Sequence, residues 1–141
     1  MPARKQDIEK IDSLVAGYLD QAMPGLLAVY RFGSLGTSGE RKESDIDLAF
    51  LPEAPVSNVT RWNLAQELAS TLGMDVDLVD LRQATTVMRM QVVAHGTRIF
   101  SADDVRIDTF EDMVFSAYAR LNEERREILN DIHSRGCVYG G

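Results

Sequence analysis

The sequence predicts an α/β domain with a small mixed β-sheet, flanking helices and a long C-terminal helix. Segments with the apolar spacing of amphipathic helices alternate with short apolar runs that are typical of buried strands. The runs at 26–32 and 45–51 are joined by a stretch with room for a turn and at most one short helix, which favours an antiparallel pair. The chain has 141 residues, near the commonest size of one domain. We therefore expect residues 1–104 and 105–141 to belong to the same single domain.

Each predicted element has its own pattern. Helices are predicted over 6–20, 59–72, 84–94 and 105–134, and strands over 26–32, 45–51, 74–81 and 96–100. Trp62 and the six methionines are interpreted as packing residues. Four residues of the third helix are expected to face inward: Val87, Met90, Val93 and Ala94. The last helix carries an apolar stripe made of Phe110, Val114, Ala117, Leu121, Ile128 and Ile132. If part of that stripe faces outward, it predicts a partner protein.

Charge and cysteine content narrow the class of protein. The formal net charge of −7 argues against a general nucleic-acid binder, which is usually basic, so no direct nucleic-acid binding is expected. The single cysteine, Cys137, excludes an internal disulfide and fits a reducing compartment. No signal-peptide pattern or membrane-spanning run is present in the sequence, so a cytoplasmic location is expected.

Two aspartates at the start of the second strand are the first candidate site residues. Side chains alternate along a strand, so Asp45 and Asp47 lie on one face, about 7 Å apart along the chain. Two like charges on one face repel, and a divalent cation with hard oxygen ligands, Mg²⁺ or Mn²⁺, removes that repulsion. The alternative is a solvated strand start, which is the commoner explanation of an isolated Asp-X-Asp.

Two neighbouring features favour the metal site. Gly33-Ser34 ends the first strand, where a tight turn presents backbone N–H groups and a hydroxyl to a phosphate. The third strand, 74–81, is again acidic. Three carboxylates can hold two metal ions about 3.5–4 Å apart, the arrangement that stabilises an in-line phosphoryl displacement. The pattern therefore predicts nucleotide transfer with pyrophosphate as the leaving group.

The second strand begins with Asp45-Ile46-Asp47, and ten residues separate it from Gly33-Ser34. This spacing resembles the G-S-x10-D-x-D signature of the nucleotidyltransferase superfamily related to DNA polymerase β. Over residues 10–100 the layout is similar to the minimal nucleotidyltransferases, the MntA-type antitoxins that are paired with HEPN-domain toxins. The resemblance implies a nucleotidyltransferase fold, with residues 1–104 as the minimal domain.

The third carboxylate of that family corresponds best to Asp77, which also lies mid-strand between apolar neighbours. Asp75 shares the face of Asp77 and is an open alternative, whereas Asp80 points the other way and is expected to cap the following turn. Asp45, Asp47 and Asp77 are thus the implied catalytic and metal-binding residues.

The resemblance also implies an activity. It predicts a Mg²⁺-dependent protein adenylyltransferase, with two metal ions and ATP as co-substrate. The acceptor would be a tyrosine hydroxyl of a cognate HEPN toxin, a ribonuclease that is neutralised within a hetero-oligomer. Gly33 and Ser34 would bind phosphate. Leu35 and Gly36 occupy places where relatives often carry basic residues, so Arg41 and Lys42 become the candidate cations for the triphosphate.

Two other functions remain open from the sequence. A binding-only antitoxin would mask the toxin without catalysis and would not need the aspartates. A nucleotidyltransferase acting on a small molecule is the other alternative. His95 and His133 are interpreted as helix-end residues, and Arg82 and Arg89 as surface charges rather than phosphate ligands.

Overall fold

The computed structural model describes residues 5–33 and 45–134. Eight elements occur in this order: α1 (Lys5–Ala22), β1 (Leu26–Phe32), β2 (Asp45–Pro52), α2 (Asn58–Leu72), β3 (Asp75–Asp80), α3 (Thr86–His95), β4 (Thr97–Ser101) and α4 (Asp104–Ser134). The predicted elements are all confirmed, with boundaries within two residues. The predicted tail after Ser134 lies outside the described residues. No described helix is long and apolar enough to cross a membrane.

The four strands form one mixed sheet in the order β3-β2-β1-β4. β1 pairs antiparallel with both β2 and β4, which confirms the predicted antiparallel neighbours. β2 pairs in parallel with β3, because α2 carries the chain back to the end of the sheet at which β2 begins. This parallel pair positions the acidic residues of both strands at one end of the sheet.

Helices cover both faces of the sheet. On one face, Val15, Leu19 and Leu68 of α1 and α2 belong to a core with Leu48 and Phe50 of β2. On the other face, a second core joins the sheet to α3 and α4 through Tyr30, Ala49, Leu51, Val92 and Ile107. Because strand residues alternate, Asp45 and Asp47 share their face with Ala49, on the side of α3 and α4.

Several packing predictions on the shorter helices are wrong. Trp62 is 57% exposed, because it lies roughly a third of a turn from the buried stripe of α2 centred on Leu64 and Leu68. Val87 and Ala94 are also exposed, since α3 buries Val92 and both positions lie on its far side.

The apolar stripe of α4 is covered only in its first half. Ile107 and Val114 are buried against the sheet, whereas Ala117 is exposed and Ile128 and Ile132 are 59% and 45% exposed. The helix has 31 residues and is about 46 Å long, so it extends past the short strands that could cover it. The C-terminal half of α4 therefore presents an apolar strip to the surroundings.

A polar network ties α4 to the middle of the sheet. The buried Tyr30 hydroxyl donates to Glu111 Oε2 at 2.6 Å, and Arg98 Nη2 of β4 donates to the same oxygen at 2.7 Å. Burial and the Glu111 carboxylate raise the pKa of the Tyr30 phenol.

Tyr30→Phe is expected to lower the free energy of unfolding by about 1–2 kcal/mol at neutral pH, because one buried hydrogen bond is lost. The folded state holds the Tyr30 proton more tightly than the unfolded state does, so stability falls as pH rises above about 10. Urea unfolding followed by circular dichroism between pH 8 and 11 measures this dependence. The free energy of unfolding should decline less steeply with pH in the variant than in the wild type. The decline should not vanish, because the pKa of Tyr18 is also raised, to about 12. An unchanged slope would contradict this role.

Candidate active site

The parallel register of β2 and β3 places the aspartates side by side. Asp47 pairs with Asp77, and Asp45 pairs with Asp75. Paired residues on neighbouring strands are about 4.8 Å apart and point to the same face. Four carboxylates are therefore grouped at the beginning of these two strands. Sequence alternation predicted which residues share a face within each strand, and the register brings the two strands' residues together.

Asp47 lies at the centre of this group and is half-buried. Its pKa is raised, first by burial and then by the negative charges of Asp77 and Asp45. Asp77 is the cross-strand partner of Asp47, whereas Asp75 pairs with Asp45. The geometry thus favours Asp77 over Asp75 as the third member of the group.

Gly33 brings the backbone against the Asp47 carboxylate. Its φ angle is 81°, in the left-handed region that favours glycine. A Cβ atom added to Gly33 would overlap the Asp47 side chain. Only a glycine allows the end of β1 to approach this carboxylate so closely.

The carboxylate side chains of these aspartates suit a divalent cation. Carboxylate oxygens suit Mg²⁺ or Mn²⁺, and a cation would relieve the repulsion that raises the pKa of Asp47. In the part of the chain that the structure describes, no three acidic, histidine or cysteine side chains are already arranged to hold an ion. Asp45, Asp47 and Asp77 are the candidates, and their side chains would have to turn towards a common point.

Comparison with known proteins assigns the domain. The family model described as "Polymerase beta, Nucleotidyltransferase" matches residues 15–105. The chain belongs to this nucleotidyltransferase family. It is also 42% identical over 112 residues to the protein adenylyltransferase MntA of Shewanella oneidensis, an alignment that covers 78% of each chain.

Solved structures extend the nucleotidyltransferase assignment to the fold. One is a complex of the tri-AMPylated Shewanella oneidensis HEPN toxin with the MNT antitoxin, with a TM-score of 0.75 and 37% identity. It covers 89% of this chain and 98% of that one. Another is a toxin–antitoxin structure with AMP-PNP, with a TM-score of 0.76, 38% identity and coverage of 86% and 98%. The resemblance to minimal nucleotidyltransferases is confirmed.

Several candidate nucleotide ligands of this nucleotidyltransferase are outside the described residues. Ser34, Arg41 and Lys42 lie in the segment between β1 and β2. Their roles at the phosphates therefore stay predictions. Of the phosphate-turn residues, Gly33 is described, and its conformation is that of a tight turn at the end of β1.

Arg61 is a cation near the candidate site that sequence reasoning missed. It donates from Nη1 to the Leu78 carbonyl at 3.1 Å and lines a depression of about 230 Å³ that also includes Asp77. Its position within α2 carries no motif. Only the crossover of α2 onto the edge strand β3 brings it beside Asp77, so the sequence held no signal for it.

Other polar residues are structural in this nucleotidyltransferase. Asp80 is buried and its Oδ1 accepts a hydrogen bond from the Arg82 backbone N–H at 2.9 Å, which confirms the predicted turn cap. Arg82 is exposed, as predicted, and Arg89 is partly buried; both also donate to backbone carbonyls. His95 is exposed in the last turn of α3, as predicted, and His133 occupies the same kind of position on α4.

Proposed function

We propose that this protein transfers AMP from ATP to a tyrosine hydroxyl of a cognate HEPN-domain toxin and neutralises the toxin in the cytoplasm. The observation that carries the proposal is the position of Asp47 between Asp45 and Asp77, with the Gly33 backbone against it. The relative with 42% identity is a protein adenylyltransferase, and a structural relative is bound to an AMPylated HEPN toxin. Both support the reaction and the partner.

The proposed reaction is a single in-line displacement. The acceptor oxygen forms a bond to the α-phosphorus of ATP while the bond to the pyrophosphate leaving group breaks. Bound Mg²⁺ would neutralise the phosphate charge and promote ionisation of the acceptor hydroxyl. Asp45, Asp47 and Asp77 would hold the metal ions. The turn at Gly33 and Ser34 would orient the phosphates, and Arg41 or Lys42 would neutralise them.

The second part of the proposal is a surface that docks the toxin. The C-terminal half of α4 supplies an exposed apolar strip formed by Ile128, Leu129 and Ile132, each at least 45% exposed. We propose that this strip docks the toxin. Burial of exposed apolar side chains is the main favourable term in such an association.

Ile128→Lys with Ile132→Lys is expected to weaken toxin binding at least about tenfold, because two apolar contacts are replaced by charges. The fold should be unaffected, since neither side chain belongs to a core. Val59→Lys is the matched control: this valine of α2 is 70% exposed and lies away from the strip. Titration of the purified toxin by calorimetry measures the effect. Equal affinity in both variants would place the docking surface elsewhere.

Intact mass spectrometry of the HEPN protein co-expressed with this protein tests the reaction. The wild type should add mass in units of AMP, whereas Asp45→Asn/Asp47→Asn should add none. Asp20→Asn, an exposed carboxylate change on α1, should behave as the wild type. If the toxin is neutralised equally by all three forms without added mass, a binding-only antitoxin replaces the enzyme.

A further inference from the structure

A cleft with three arginines lies at the opposite end of the sheet from the candidate active site. Arg82, Arg89 and Arg106 line a cavity of about 340 Å³, and its floor includes Leu27 and Leu51. Leu51 is on the same face as Asp47 but four residues further along β2, or about 13 Å away. The cleft is therefore separate from the group of aspartates.

Two of the three guanidinium groups are held in place by backbone carbonyls. Arg82 donates from Nε to the Pro52 carbonyl and from Nη2 to the Glu53 carbonyl at 2.7 Å. Arg89 donates from Nε and Nη2 to the carbonyls of Leu81 and Arg82, each at 2.7 Å. One edge of each planar group is thus fixed, and the Nη1 hydrogens have no partner among the described residues. Such fixed donors lose little entropy when a ligand binds.

Ion pairs neutralise the positive charge of this cleft only in part. Among the ion pairs between described residues, none includes Arg82 or Arg89. Arg106 Nη1 is 3.6 Å from Glu53 Oε1, and both side chains are about half exposed, so this pair is weak. Three cations therefore share one cleft in a chain whose formal net charge is −7. An anion in the cleft would relieve their mutual repulsion.

The remaining lining is apolar. Leu27 and Leu51 are buried, and Phe110 of α4 is partly buried against the same core. Met113 is 66% exposed beside the cations, although sequence reasoning interpreted the methionines as packing residues. A methionine adapts its shape to a bound apolar group, and guanidinium groups stack on aromatic rings. The cleft thus combines fixed cations with an adaptable apolar wall.

We propose that this cleft binds a small organic anion, in which a carboxylate or phosphate group is attached to a compact apolar body. The anionic group would accept hydrogen bonds from the free edges of the guanidinium groups, as charge-assisted pairs do. The apolar body would lie on Leu51, Phe110 and Met113. The cavity volume is at the lower end of the range for small-molecule sites, which suits a single ring or a short chain.

Calorimetry and thermal unfolding of the full chain with phenyl phosphate and benzoate test this site. Both anions should bind and raise Tm, and phenyl phosphate should bind more tightly than inorganic phosphate because the ring is buried. Benzyl alcohol, which has the ring without the charge, should bind at least about tenfold more weakly. No binding of either anion, or equal binding of benzyl alcohol, would overturn the proposal.

Arg106→Gln is the decisive variant, because the Arg106 side chain makes no hydrogen bond to the backbone of the described residues, so its loss should leave the fold intact. It should weaken phenyl phosphate binding at least about tenfold. Arg120→Gln, an exposed arginine further along α4, should bind as the wild type does. Equal binding by Arg106→Gln and the wild type would overturn the assignment.

The same experiment must show whether the anion binds at this cleft or at the candidate active site. Asp45→Asn/Asp47→Asn removes the proposed metal ligands and should bind phenyl phosphate with unchanged affinity. A changed affinity in this double variant, in either direction, would place the anion at the catalytic group instead. A failure of the transfer reaction would leave the cleft unaffected, because its test measures binding in the absence of ATP.

Discussion

Asp47→Asn is expected to reduce transfer of AMP at least about 100-fold without lowering the free energy of unfolding. Changes to groups that only support metal ligands already cost about 10–100-fold in activity, so loss of a ligand should cost at least as much. Stability should stay equal or rise at neutral pH, because burial and two neighbouring carboxylates make the charged form of Asp47 unfavourable. Initial rates at saturating ATP and urea unfolding by circular dichroism measure both quantities.

Asp20→Asn is the matched control for this variant, since it removes one exposed carboxylate from α1, outside the site. It should retain the activity of the wild type. Full activity in Asp47→Asn would show that the central carboxylate holds no metal. A large loss of stability would show instead that Asp47 supports the fold.

Gly33→Ala is expected to reduce transfer about 100-fold, because the added methyl group overlaps the Asp47 carboxylate and must displace it. A misplacement of about 1 Å at a reacting centre costs about this much. The left-handed backbone at Gly33 adds a strain of about 1–3 kcal/mol for a residue with a side chain. Transfer assays and unfolding measurements on the same preparation separate the two effects.

Gly73→Ala is the control that isolates the overlap from the backbone strain. Gly73 ends α2 with a φ angle of 68°, and a Cβ atom there meets nothing within 4 Å. Gly73→Ala should therefore lose about 1 kcal/mol of stability with unchanged activity. If both alanine variants lose activity equally, the approach of Gly33 to Asp47 has no special role.

Most of the fold could be predicted from local sequence patterns. Gly73 marks the end of α2, and the alternation in 45–51 and 74–81 marks two strands with one acidic face. The failures have two causes. Trp62 lies off the narrow stripe of α2 that is buried, and Ala117 lies beyond the part of α4 that the sheet covers.

The candidate site was predictable in its composition and not in its arrangement. Spacing identified Gly33, Asp45 and Asp47, because the signature is contiguous in sequence. The sequence preferred Asp77 and left Asp75 open, whereas the pairing of Asp77 with Asp47 needed the strand register, which depends on how α2 returns the chain. Arg61 and the arginine cleft needed tertiary contacts between distant segments, which leave no pattern in a single sequence.

The central position of β1 has a consequence for synthesis of the chain. One neighbour of β1 is the next strand, but the other is β4, whose pairing joins Ala28 to Ser101. Until residues 97–101 leave the ribosome, one edge of β1 has no strand beside it, and Tyr30 lacks its partner Glu111 from α4. An open edge on an apolar strand is a template for association with other chains. The nascent chain therefore exposes this edge until β4 has emerged, and the Tyr30 hydrogen bond forms only after α4 has followed.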